Sequence, residues 1–213
     1  MRRLPDLTLM LVTDAAMMAR RGVVETSLAA VAGGVTVVQL RDKTADDESL
    51  TALARALRES LAPLGVPLIV NDRVAVASAA EAEGLHIGQE DGSPAEARAR
   101  IGAEMILGLS VTGPADVATV DPAVVDYVGL GPVIASATKA DAAPPLGLDG
   151  TRAIGATLGL PWVAIGGIGT GNAAAVMATG ASGVAVVSAI AAADDPRAAA
   201  AGLRAAIQEG RMA

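Results

Sequence analysis

The chain has 213 residues, a formal net charge of −7, no cysteine and a single histidine, His86. That length supports one well-buried core, so a single domain over residues 1–213 is expected. The acidic balance opposes nucleic acid and anionic lipid, whose binding rests on many Lys/Arg contacts to phosphate, and the residue inventory excludes disulfides, thiolate metal sites and multi-histidine centres.

At the N-terminus, Arg2 and Arg3 precede an apolar run, Leu7 to Val12, that is bracketed by Asp6 and Asp14 and is too short and too polar at its edges for a secretion signal. Later apolar stretches are broken by Gly and Asp well before the roughly 20 residues a membrane span requires. A cytoplasmic protein without a membrane partner is expected.

Eight short Val/Ile/Leu-rich runs follow one another: Leu9 to Thr13, Val35 to Leu40, Leu68 to Asn71, Gly84 to Ile87, Met105 to Leu109, Tyr127 to Gly131, Trp162 to Ile165 and Gly183 to Val187. Between them, Ala-rich segments with helical spacing lie near 24–32, 46–62, 74–82, 94–101, 114–120, 149–158, 171–179 and 196–209. Thr44 or Asp46, Ser93 before Pro94, and Thr112-Gly113 before Pro114 supply helix-start signals. Strand then helix, eight times, predicts an α/β fold, a single (β/α)8 TIM barrel. Strands apolar on both alternations fit a sheet covered on both faces, with a doubly wound open sheet as the other arrangement. Tyr127 and Trp162 are the only aromatics, so the interior must be filled by small branched side chains, as barrel interiors are.

The polar clusters fall after the strands. Gln39 to Lys43 follows the second, Asn71-Asp72 the third, Gly88 to Asp91 the fourth and Ser110 the fifth. Ser136 to Lys139 follows the sixth, Gly166 to Gly169 the seventh, and Val187-Ser188 closes the eighth. In a barrel these converge on one rim, where such folds keep their chemistry. Asp72 and Asp91 suit a hard cation such as Mg2+, which takes one or two protein carboxylates and completes its shell with water and phosphate. Arg41, Lys43 and Lys139 suit an anion clamp, and the Gly-rich loop with Val187-Ser188 suits a second phosphate.

Each residue also has a plainer reading. Asp72 can pair with Arg73 or cap the helix near Val74, Asp91 can belong to a turn with Gly92, and Arg41 and Lys43 can be solvated loop charges. Gln39 interrupts an apolar strand and needs hydrogen-bond partners if it points inward. His86 faces the opposite side of its strand from Leu85 and Ile87, and reads as a packed, hydrogen-bonded histidine rather than a catalytic one.

Over nearly its whole length the chain resembles the thiamine phosphate synthase family, most specifically in Gln39-Leu40-Arg41-Asp42-Lys43, Val70-Asn71-Asp72, His86-Ile87-Gly88-Gln89-Glu90-Asp91 and Gly129-Leu130-Gly131-Pro132 leading to Thr138-Lys139. The resemblance implies Mg2+-dependent joining of hydroxymethylpyrimidine diphosphate to hydroxyethylthiazole phosphate, with pyrophosphate released. It implies that the Gln39–Lys43 segment, including Leu40 and Asp42, together with Asn71, Ser110 and Lys139 holds the diphosphate substrate, and that Asp72 and Asp91 hold the metal. Arg41, Lys43 and Lys139 would stabilise the departing charge, and Ser136, Ala137, Thr138, Gly167, Val187 and Ser188 would hold the thiazole phosphate. The chain departs from the family at Ala137, where a polar residue is usual, and at Asp42, where Glu is. A related thiazole tautomerase, a phosphate-metabolite sensor and a sugar-phosphate isomerase or aldolase barrel are the competing functions; the partners are small molecules in every case, and a homo-oligomer is compatible with the sequence. The small-residue loop Ser136 to Asp141 is expected to move on binding, with ligand-dependent hydrogen exchange as the check.

Overall fold

The computed structural model describes residues 4–135 and 143–212. Eight parallel strands close into a barrel in sequence order: β1 (Leu9–Val12), β2 (Val37–Leu40), β3 (Leu68–Asn71), β4 (Gly84–Ile87), β5 (Ile106–Val111), β6 (Tyr127–Leu130), β7 (Trp162–Ile165) and β8 (Gly183–Val186). Around it lie α1 (Val23–Ala32), α2 (Asp47–Leu61), α3 (Val74–Ala79), α4 (Pro94–Ile101), α5 (Gly147–Gly155), α6 (Ala173–Met177), α7 (Ser188–Ala191) and α8 (Pro196–Met212). Closure, which distinguishes this fold from the open sheet, comes from β1 pairing with β8 through Leu9 opposite Val184, Met10 opposite Ala185 and Leu11 opposite Val186.

Strand alternation splits the core into two layers. Leu9, Leu11, Val38, Leu40, Leu85 and Ile87 face outward and pack under the helices. Met10, Val12, Val37, Ile69, Ile106, Tyr127, Val163 and Ala185 fill the barrel itself. The outer layer is completed by helix stripes such as Leu50, Leu57 and Leu61 of α2, all essentially inaccessible to solvent, each contributing about 2 kcal/mol by burial.

Helix starts follow their local chemistry. The Asp46 carboxylate accepts from the Ser49 N–H at 2.7 Å to cap α2, and Ser93 and Glu96 form a reciprocal capping box at α4, with Pro94 at the first helical position. The segment expected as a helix near 114–120 is a 3-10 turn, Pro114–Thr119. There the Asp116 carboxylate accepts from both the Thr112 N–H and its hydroxyl at 2.7 Å, and such local bonds compete with helical ones. The sequence pattern missed α7, because Ser188 to Ala191 reads as an apolar continuation of β8. None of the described helices is long and apolar enough to cross a membrane.

A buried charge network lies in the outer layer. The Arg98 guanidinium donates to Asp126 at 2.6 Å and to the carbonyls of Gly102, Met105 and Val124, while Asp126 also accepts from the Leu107 N–H at 2.8 Å. It ties α4 to β5 and the start of β6, and both side chains are largely buried. Removing one partner would strand the other charge, so Arg98→Ala is expected to cost about 3 kcal/mol in urea unfolding. Arg152→Ala, whose pairing with Asp149 is exposed, is expected to change stability by less than about 0.5 kcal/mol.

Candidate functional site

A cavity of about 450 Å³ opens at the C-terminal rim of the barrel. On one side it is lined by Arg41, Lys43, Asn71, Asp72, Asp91 and Ser110, and on the other by Gly166, Gly167, Val187 and Ser188. Gln39 and His86 line its floor. Residues spread over most of the chain meet there because every strand delivers its C-terminal end to the same rim.

Asp72 is the most constrained of them. Its backbone lies in the left-handed region, at φ 55°, a conformation that side-chain-bearing residues adopt at a cost. Its N–H donates to the His86 carbonyl at 2.8 Å, joining the end of β3 to β4. Its carboxylate accepts from the Asn71 amide at 2.7 Å and lies 3.9 Å from the Arg73 guanidinium, which is itself held by Asp47 at 2.7 Å. Asp72 does not cap α3: the cap position is Arg73, and no side chain caps that helix. Burial first, and the Asp91 charge second, push the Asp72 carboxyl above the usual carboxylate range, while Lys43, Arg73 and Arg41 pull it back. The two carboxylates therefore act on each other across the rim, as do the cations beside them.

Asp91 takes part in the turn after β4, where one of its oxygens accepts from the Gly88 N–H at 2.7 Å. Arg41 is held through its backbone, its N–H donating to the Thr13 hydroxyl at 2.9 Å and its carbonyl accepting that hydroxyl at 3.2 Å. Among the described residues neither Arg41 nor Lys43 has an ion-pair partner within 4.0 Å. A cation pair facing a cavity without committed counter-charges is suited to a multiply charged anion.

The opposite side is built from close-packed backbone. Gly166 and Gly167 have φ of 102° and 66°, and a side chain at Gly167 would stand 2.8 Å from the Ile134 carbonyl and 2.9 Å from that of Ala135. Glycine is needed there by both conformation and packing. Asn172 braces this loop, accepting from the Gly169 N–H and donating to the Gly167 carbonyl, each at 2.9 Å. The short helix α7 begins at Ser188 beside it, the arrangement that phosphate sites of such barrels use.

The floor carries polar groups whose partners the sequence did not reveal. His86 is buried, with Nδ1 2.8 Å from the Tyr127 hydroxyl and Nε2 2.9 Å from Ser110 Oγ. Burial pushes its pKa down to about 4, opposed by the Asp91 charge, so the ring is neutral at physiological pH. Tyr127 is fully buried and its hydroxyl is held in the neutral form by burial. Gln39 points inward, as its need for partners required, and its amide donates to Met10 Sδ at 3.7 Å. Gln89, in the polar cluster after β4, donates to the Ser110 carbonyl at 2.7 Å.

Two expected contacts are not brought to the cavity. Leu40 packs in the outer layer, since it lies one residue from inward-facing Gln39 and alternation turns it away. The Asp42 carboxylate instead closes a local turn, accepting from the N–H and hydroxyl of Thr44 at 2.8 and 2.7 Å and from the Ala45 N–H at 3.1 Å, bonds that hold its pKa low. Ser136, Ala137, Thr138 and Lys139 lie outside the described residues.

The family model described as thiamine monophosphate synthase matches residues 9–190. A thiamine-phosphate synthase of Xanthobacter autotrophicus is 54% identical over 206 residues, covering 97% of this chain and 98% of that protein. One from Azorhizobium caulinodans is 49% identical, covering 97% of each. The solved structure of a thiamine phosphate pyrophosphorylase from Pyrococcus furiosus superposes with a TM-score of 0.87 at 33% identity, over 96% of this chain and 97% of that one. A 3-hexulose-6-phosphate synthase, at 19% identity and a TM-score of 0.69, shares the barrel fold. The chain therefore belongs to the thiamine monophosphate synthase family.

Proposed function

We propose that this chain is a cytoplasmic, magnesium-dependent thiamine phosphate synthase that transfers the hydroxymethylpyrimidine group from its diphosphate to hydroxyethylthiazole phosphate and releases pyrophosphate. One observation carries the reading: a mutually repelling carboxylate pair, Asp72 and Asp91, and two cations without an ion-pair partner among the described residues, Arg41 and Lys43, share one side of a cavity whose other side is a glycine loop beside a short helix. A tautomerase acting on a thiazole phosphate has no use for the diphosphate clamp.

The residues fit a hard cation. Their donors are carboxylate oxygens on two neighbouring strand ends, and the Asp91 charge raises the Asp72 pKa, a repulsion that a divalent ion between them would relieve. Two carboxylates are enough for Mg2+, since that ion keeps water and phosphate oxygens in its shell. Asp72 and Asp91 would hold the ion, which when bound neutralises charge on the leaving diphosphate.

Arg41 and Lys43, with Lys139 by family resemblance, bind the diphosphate oxygens and stabilise the negative charge that grows as the bond to the pyrimidine methylene breaks. Asn71 and Ser110 orient that substrate from the ends of β3 and β5. Gly167, Val187 and Ser188 hold the thiazole phosphate so that the ring nitrogen faces the methylene carbon. The nitrogen attacks with its own lone pair, so no general base is required.

Incubation with both substrates and magnesium is expected to release one pyrophosphate per thiamine phosphate formed. Binding of both without pyrophosphate would favour a sensor instead. Asp91→Asn is expected to lower the turnover rate by about 100-fold, as loss of one charge partner typically does; near-normal turnover would remove Asp91 from this role.

Asp72→Asn separates function from stability. Because the fold raises the Asp72 pKa, the folded state resists its ionisation, and this penalty grows as pH rises through the folded pKa. In metal-free protein at neutral pH, Asp72→Asn is expected to raise Tm while abolishing pyrophosphate release. The Tm gain should disappear in scans at pH below the ordinary carboxylate value of 3.8.

A further inference from the structure

Arg73 follows Asp72 directly, yet Asp72 lines the cavity and Arg73 is not among the described residues that do. The chain turns tightly between them: the Arg73 N–H donates to the Asn71 carbonyl at 2.7 Å around the left-handed Asp72. The Arg73 guanidinium reaches instead to the loop after β2. One terminal nitrogen donates to the carboxylate of Asp47, in the first turn of α2, at 2.7 Å, and the other to the Asp42 carbonyl at 3.3 Å. Its Nε lies 3.9 Å from the Asp72 carboxylate. The Arg73 side chain is mostly shielded from solvent, whereas that of Asp47 is open to it.

The position of the Asp42 carbonyl gives this contact its consequence. Asp42 separates Arg41 from Lys43, the two cations that line the cavity. The pairing of β2 with β3 ends at Leu40 opposite Val70, so the strand ladder does not hold the segment that follows. Thr13 fastens that segment from the β1 side, bonding to the Arg41 N–H and carbonyl, and the Asp42 carboxylate closes it on itself through Thr44 and Ala45. Neither ties Asp42 to the end of β3; Arg73 does. Two flexible cationic side chains bind an anion more tightly when their backbone is already in place, because less freedom is lost on binding. Arginine suits this task, since its planar fork engages two acceptors at once in a fixed geometry that a single ammonium cannot reproduce.

We propose that Arg73 is a positioning residue: by bridging the Asp42 carbonyl and the Asp47 carboxylate, it holds the Arg41–Lys43 segment beside Asp72 so that both cations meet one anion in the cavity. That this anion is the diphosphate of the substrate rests on the function proposed above; the anchoring of the segment does not. Positioning and simple charge act here with opposite signs at Asp47. Removing that carboxylate takes away a negative charge and by field alone would strengthen anion binding. Because it also frees Arg73, positioning makes the same change weaken it.

Hydrogen exchange in the metal-free protein reads the segment itself. Arg73→Ala and Asp47→Ala are expected to speed exchange of the Lys43, Thr44 and Ala45 amides about fivefold or more; rates unchanged from wild type overturn the anchoring. Asp47→Ala removes only an exposed carboxylate, so this test stands even if Arg73→Ala folds poorly. Calorimetric titration with inorganic pyrophosphate at saturating magnesium reads the consequence. Arg73→Ala is expected to weaken binding about tenfold, the size of one lost interaction within a network, and Arg73→Lys nearly as much. Asp47→Ala is expected to weaken it about threefold, the size of one solvent-facing ion pair. Full recovery in Arg73→Lys, or tighter binding in Asp47→Ala, would show that charge alone matters and overturns the proposal. In turnover, KM for the pyrimidine diphosphate is expected to rise while KM for the thiazole phosphate stays unchanged; equal rises in both would mark a general loss of structure and count against positioning. If the wild type binds no magnesium pyrophosphate, the functional reading fails while the exchange rates still decide the anchoring.

Discussion

The pairing of β1 with β8 turns a row of parallel strands into a closed surface, and every other feature of the site depends on it. Closure removes the two unpaired edges that an open sheet would expose. It also fixes the inside and outside of each strand, because alternation is now locked to a common centre. Residues as distant as Arg41 and Ser188 then become neighbours around one opening. The small interior side chains follow from the same geometry: Met10, Val12, Ile69 and Ala185 leave space above them that larger residues would fill, and a single buried phenol spans the middle.

Within that frame the rim is locally unfavourable. Asp72 has a left-handed backbone, a partly buried carboxylate and a like charge nearby, and each of these opposes folding. Arg41 and Lys43 relieve part of the repulsion but form no ion pair among the described residues. The function proposed above would supply the missing charges, a cation for the carboxylates and an anion for the guanidinium and ammonium groups. Stability is drawn from elsewhere, from the two apolar layers and from the Arg98–Asp126 network.

The floor shows a different strategy. Gln39, Tyr127, His86 and Ser110 bring polar atoms into a region that is otherwise Val, Ile and Ala, and their hydrogen bonds offset the cost of burial. Burial keeps the imidazole neutral, so the network adds no charge beside the rim.

Much of this was legible in the residues themselves. Apolar runs bounded by Gly, Pro and Asp located all eight strands, since a strand buried on both faces must be apolar on both alternations, and Asp46, Ser93 and Pro94 marked helix starts through local capping chemistry. The concentration of Asp72, Asp91, Arg41 and Lys43 after strands, rather than before them, pointed to one rim. Local pattern could not show that the sheet closes, because closure depends on pairing between residues such as Met10 and Ala185, far apart in the chain. Nor could it separate Gln39 from its neighbours Leu40 and Asp42, since only the pleat of the closed barrel decides which of them looks inward. The two partners of the His86 ring lie 24 and 41 residues away, and only the register of β4, β5 and β6 brings them to it.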